Sequence, residues 1–98
     1  MKKLLIVLIL FFSYTTYSQT AKEYFNSAYD KEENGNFNGA IADYTKAIEL
    51  NPDDASAYNN RGILKEELGD LDGACSDWRK AANLGHTNAK KWVANQCN

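Results

Sequence analysis

From Ala21 onward, small and apolar residues recur at helical spacing, and the pattern is written twice. Ala40, Ile41, Tyr44, Ala47 and Ile48 share one face of a predicted helix, and Ala74, Trp78 and Ala81 restate that face further along. At an offset of 34 residues Tyr24 falls on Tyr58, Ala28 on Gly62, Gly35 on Gly69, Ala40 on Ala74, Tyr44 on Trp78, Ala47 on Ala81 and Leu50 on Leu84. A fixed period of this size marks a stacked repeat, in which no unit buries its apolar face alone. Small residues stand where helices touch closely and large ones fill the space between. That is a packing code, not a catalytic one.

The polar and turn-forming residues divide this pattern into five predicted helices. Thr20-Ala21-Lys22-Glu23 reads as a capping box opening the first, which runs to about Asn34 and ends at Gly35. Asn36 or Asn38 opens the second, which ends at Leu50 before Pro52, whose ring removes a donor and biases Asn51 away from helix. Asp53 or Asp54 caps the third, ended by Gly69, and Asp70 or Asp72 caps the fourth, ended by Gly85. Thr87 or Asn88 opens a fifth, with Ala89, Trp92, Val93 and Gln96 on one face.

The period resembles the tetratricopeptide repeat (TPR), on Tyr24, Ala28, Ala40, Tyr44, Ala47 and Pro52 in the first unit and Tyr58, Gly62, Ala74, Trp78 and Ala81 in the second. Two features depart from the family pattern: Lys31 and Lys65 replace a usual Tyr, and His86 stands where Pro is expected. The stretch from Lys80 to Ala89 also resembles a Sel1-type repeat, a relative with the same helix-pair architecture. The resemblance implies an all-α fold: a right-handed α-α superhelical stack of two TPR helix pairs plus a C-terminal capping helix. The units fall at residues 21–54 and 55–88, with the capping helix at 88–97. In the first unit Glu23, Ser27 and Asp30 replace the inward-facing Ala57, Arg61 and Leu64 of the second. A polar outer face of that kind suits a terminal repeat.

The first residues follow another logic. Lys2 and Lys3 precede an apolar run from Leu4 to Phe12, followed by short polar residues to Gln19. In helical form that run spans about 14 Å, well short of the roughly 30 Å hydrocarbon core of a membrane. A basic start, a short apolar centre and small residues at Thr16 and Ser18 predict a secretory signal peptide over residues 1–18, cut before Gln19, with an uncleaved apolar helix as the alternative. The expected address is the periplasm or the medium, and the mature domain is residues 19–98, not embedded in a membrane. No Cys near the cut provides a lipid anchor.

Removing Lys2 and Lys3 from eleven Lys and Arg leaves nine against thirteen Asp and Glu. That balance disfavours nucleic acid as a partner. The even pair Cys75 and Cys97 predicts a disulfide in an oxidising compartment. The two lie at equal depth on either side of His86, and closing such a loop stabilises by roughly 3 kcal/mol in the chain-entropy account. Two reduced, buried thiols are the alternative.

Catalysis finds little support. His86 is the only histidine and sits at a helix turn, where a polar residue is expected anyway. Asp70-Leu71-Asp72-Gly73 lacks the spaced ligands of a calcium loop, and no phosphate loop or zinc-spaced set is present. The expectation is a protein that is not an enzyme and carries no cofactor and no metal.

What the resemblance leaves is a surface. It implies that the first helices of successive units line a concave groove. Here that face carries Lys22, Phe25, Tyr29, Glu32 and Glu33, then Ser56, Asn59, Ile63, Glu66 and Glu67. Phe25, Tyr29 and Ile63 are apolar for a wet face and act either as anchors for a peptide or as padding of a small core. The family's carboxylate clamp is not expected, because Phe25 and Tyr29 replace its Lys and Asn. Two roles follow: an exported module binding a peptide or partner helix, or a structural piece that self-associates within an envelope assembly.

Overall fold

The computed structural model describes residues 20–98, so the expected signal peptide lies outside the described residues. Among these residues the chain forms five helices and no strand: α1 (Thr20–Glu33), α2 (Phe37–Leu50), α3 (Ala55–Glu67), α4 (Leu71–Asn83) and α5 (Thr87–Gln96). Each helix packs on the next, giving an all-α stack of the TPR kind. α1 begins at Thr20 itself, one residue before the expected start.

Three of the four turns are built alike. After α1 the amide of Asn36 donates to the carbonyl of Lys31 (2.8 Å) and that of Gly35 to Glu32 (3.0 Å). After α3 Asp70 donates to Lys65 and Gly69 to Glu66; after α4 His86 donates to Ala81 and Gly85 to Ala82. This is the Schellman closure, which needs a left-handed residue, and Gly35, Gly69 and Gly85 supply it at φ 79°, 87° and 96°. The residue after each glycine caps the following helix: Asn36 Oδ1 accepts from Gly39, Asp70 Oδ1 from Gly73 and His86 Nδ1 from Ala89. Only the turn from α2 to α3 differs. It passes through Pro52, and Asp54 caps α3 by accepting from Ala57.

The closing helix opens at Thr87, as expected, but it does not keep the 34-residue period. α4 and α5 are joined by the tight glycine turn used inside each pair, not by the longer proline turn used between pairs. His86 occupies the cap that Asp54 provides for α3, and Ala89, third after the cap, is fully buried like Ala57. α5 starts two residues earlier than the repeat period would place it. Trp92 stacks on Trp78 with ring centroids 5.7 Å apart, while Gln96, expected on the same inner face, is exposed. The sulfurs of Cys75 and Cys97 lie 2.04 Å apart and join α4 to the residue that ends α5, with Cα atoms separated by 5.8 Å.

Two apolar clusters run through the stack. The first gathers Ala28, Ala40, Tyr44, Ile48, Ala57 and Leu64; the second gathers Ala74, Cys75, Trp78, Ala81 and Ala89. Tyr58 packs against both and makes the core continuous. Tyr44 and Trp78 are the largest fully buried side chains, as their repeat positions imply. Gly62 allows the Trp to fit: a Cβ there would lie 2.7 Å from Trp78 Nε1 and 2.8 Å from Cδ1. In the first unit the smaller ring of Tyr44 accompanies Ala28.

Polar contacts follow the same period. Lys31 Nζ pairs with Asp43 at 2.8 Å and Lys65 Nζ with Asp77 at 3.1 Å. The two lysines that depart from the family pattern thus each meet an aspartate on the other helix of their own pair. Ser27 donates to Asp43 (2.6 Å), and the equivalent Arg61 grips Asp77 with two bonds, Nε to Oδ2 at 2.8 Å and Nη2 to Oδ1 at 2.7 Å. Arg61 also donates to Thr45 of α2 (3.1 Å) and lies over the Tyr58 ring. It binds the second pair to the first.

Candidate functional site

α1 and α3 run in the same direction, each followed by an antiparallel partner, and together they carry most of the residues expected to line a groove. Their opening turns bound an open cleft. Lys22, Phe25 and Asn26 form one side, and Asn51, Asp54 and Ser56 the other. Phe25 is half-buried and meets Tyr44 edge-on, with centroids 5.4 Å apart and planes at 75°. This favoured aromatic geometry anchors the ring in the first cluster while leaving part of it to the cleft. Phe25 is thus both padding and lining.

Farther along the helices, Tyr29 is 50% exposed, a large apolar surface for an aromatic in so small a domain. Beside it lies a polar knot. The Tyr44 hydroxyl donates to Glu32 and accepts from Asn60 Nδ2 at 3.2 Å. Burial pushes the Tyr44 phenol well above its ordinary range, and the neighbouring Glu32 carboxylate raises it further. Asn60 is thereby committed to the fold. Ile63 is half-buried against the second cluster. Glu66 is half-buried, whereas Lys22, Glu33, Ser56 and Glu67 are exposed.

One expected groove residue moves off the surface. Asn59 is only 5% exposed, and its Oδ1 has no hydrogen-bond partner. It stands one repeat after Phe25, which is itself half-buried against Tyr44. The structure brings Lys22 and Phe25 together in the cleft and gathers Tyr29 and Glu32 around the Tyr44 hydroxyl. Ile63 and Glu66 follow on α3, and Asn59 drops out. Asn51 and Asp54 were not expected in the lining. Their signal was the proline turn, which returns the chain to the end of the stack where Lys22 lies.

At the far edge stand Leu68 and Leu71, 48% and 44% exposed, on either side of the turn into α4. Among the described residues no group of three or more His, Cys, Asp or Glu is arranged to hold a metal ion, and no helix is long and apolar enough to cross a membrane.

A search of curated proteins finds no match to this chain. Residues 33–69, from the end of α1 through α3 to its closing glycine, match a family model described as TPR repeat, which supports reading the chain as a TPR protein.

Proposed function

We propose that this chain is an exported, non-enzymatic interaction module that holds a peptide or a partner helix along the face shared by α1 and α3. TPR repeats in general mediate contacts between proteins, and nothing in the described residues points to catalysis. The observation that carries the reading is the Phe25–Tyr29 surface. Two aromatics one helical turn apart stay partly open to solvent beside a cleft, although burying them more fully would have stabilised the fold. The basic, short apolar start at residues 2–12 supports export. The groove expected to bind is Lys22, Phe25, Tyr29, Glu32, Ile63 and Glu66, without Asn59.

The test of binding is capture of envelope proteins on the immobilised chain, compared with a Phe25→Ala/Tyr29→Ala variant. Partners retained equally by both would remove the groove from the reading. The test of export is sequencing of the purified protein's N-terminus together with alkylation in the absence of reductant. A first residue at Gln19 and no labelled thiol are expected; an intact Met1 with two labelled thiols would reject the address and the bridge together.

Self-association is a second reading, favoured by the exposed Leu68 and Leu71. Light scattering distinguishes it. A monomer at high concentration excludes self-assembly, and a dimer dispersed by Leu68→Glu/Leu71→Glu would establish it.

A further inference from the structure

The closing turns of α1 and α3 carry Glu32-Glu33 and Glu66-Glu67 at one edge of the groove. Carboxylates there oppose the helix dipole, whose negative end lies at the C-terminus and favours cations. The cations that share those turns are spent elsewhere. Lys31 pairs with Asp43 and Lys65 with Asp77, between the two helices of each pair, and Arg61 also closes on Asp77. No ion pair among the described residues involves Glu32, Glu33, Glu66 or Glu67. The N-termini of α2 and α4 reach the same edge, but their caps are Asn36 and Asp70, the second another carboxylate. Glu32 is engaged by the Tyr44 hydroxyl, which leaves Glu33, Glu66 and Glu67 as the unbalanced charges. Both repeats thus place acid at the end where it costs stability, and both turn the adjacent lysine away from it.

Next to this edge lie Tyr29 and Ile63, and beyond them the Phe25 cleft, where Lys22 stands among the carboxylates of Glu23 and Asp54. The face carries apolar side chains between two ends that both hold more carboxylates than cations, with the unpaired Glu33, Glu66 and Glu67 gathered at one of them. We propose that it selects a protein segment that is apolar on its contact side and carries Lys or Arg where it lies over Glu33, Glu66 and Glu67. This rests on the groove reading above and adds the partner's chemistry. Charge of this sort sets specificity and encounter rate more than total affinity. The basic residues discriminate between partners, and the apolar ones hold whichever is chosen.

The test is selection of a display library of random peptides against the full chain, against Phe25→Ala/Tyr29→Ala, and against Glu33→Gln/Glu66→Gln/Glu67→Gln. The full chain is expected to enrich peptides that combine aliphatic or aromatic residues with Lys and Arg. The triple Gln variant keeps the apolar preference and loses the basic one. A selected peptide, followed by fluorescence anisotropy, should bind it roughly tenfold more weakly, as the loss of three exposed ion pairs implies. Its binding to the full chain should weaken with added salt. Enrichment of acidic or uncharged peptides, or a basic preference that survives the triple substitution, would overturn the charge assignment while leaving the groove in place. Enrichment no stronger than that of the Phe25→Ala/Tyr29→Ala variant would overturn the groove itself.

Discussion

The two repeats solve the same packing problem with different strength. The first places Tyr44 over Ala28 and holds Asp43 with Lys31 and Ser27. The second places the larger Trp78 against Gly62 and holds Asp77 with Lys65 and a bidentate Arg61. The difference follows from their neighbours. α1 begins the described stack, so a short Ser27 suffices where Arg61 must also reach back to Thr45 of the preceding pair. The second repeat is enclosed on both sides, by α3 on the first pair and by α5 on Trp78. A ring with neighbours on all sides is larger, and its facing residue smaller. The first repeat keeps a tyrosine whose hydroxyl must find partners, and it finds them in Glu32 and Asn60. The second carries an indole with a buried nitrogen that has none.

That contrast can be broken most severely at its centre. Trp78→Ala empties the second cluster and should cost about 3–5 kcal/mol, read as a large fall in the urea midpoint. A near-parental midpoint would mean that α5 does not depend on the Trp78–Trp92 stack.

The aspartates offer the next test. Asp77 is 4% exposed, and removing it strands the Arg61 guanidinium. Asp77→Ala should approach the loss of about 3–5 kcal/mol seen when one partner of a buried pair is removed. Asp43→Ala leaves Lys31 and the Ser27 hydroxyl, both partly in contact with solvent and able to rehydrate, so it should cost about 1 kcal/mol. Equal losses in the two variants would erase the distinction between the repeats.

Gly62 and Ala28 sharpen it further. In an open helix Gly→Ala stabilises by about 1 kcal/mol. At Gly62 the new methyl meets the indole, and overpacking of about 1–3 kcal/mol reverses the sign. Gly62→Ala should therefore lower the melting temperature. Combining it with Trp78→Tyr, which imitates the first repeat, should recover part of the loss. A Gly62→Ala variant that melts higher than the parent would reject the close approach.

The smallest effect is one of pH. The Tyr44 phenol is raised above its ordinary value by burial and then by Glu32, so the folded form holds its proton where the unfolded chain releases it. This contribution is complete below about pH 10 and fades above it, as only the unfolded state ionises. Spectrophotometric titration should show one tyrosine ionising only as the helical signal is lost. Asp43 works in the opposite direction. Its carboxyl is held below the usual range by the hydrogen bond from Lys31 and then by Ser27. Its contribution is present above the ordinary carboxylate range and disappears as pH falls through the depressed value.

Much of the fold was legible because repetition restates each signal. The glycines at 35, 69 and 85, the caps Asn36, Asp54 and Asp70, and the buried Ala28, Ala40, Ala57 and Ala74 are local codes: a backbone angle, a donor to satisfy, a space too narrow for a larger side chain. The groove was read less well. Asn59 is a polar residue at a surface position of the pattern, and the assembled stack buries it.

Sequence alone determined the five helices, the size of the side chain at each contact and the doubled period. These depend on residues within a turn or two of one another, or on a spacing the chain spells out. Only the tertiary structure decided which charges pair, what the last helix packs against and what remains exposed. Lys31 and Lys65 stood out in the sequence as departures from a pattern, and they became intelligible once Asp43 and Asp77 stood opposite them on the partner helix. The shortened turn at Gly85 moves α5 by two residues, because a Schellman turn that ends in a cap leaves no room for the longer loop used at Pro52. Pairing, register and exposure are set by what two distant segments do when they meet. A linear pattern can require that meeting without specifying its contacts.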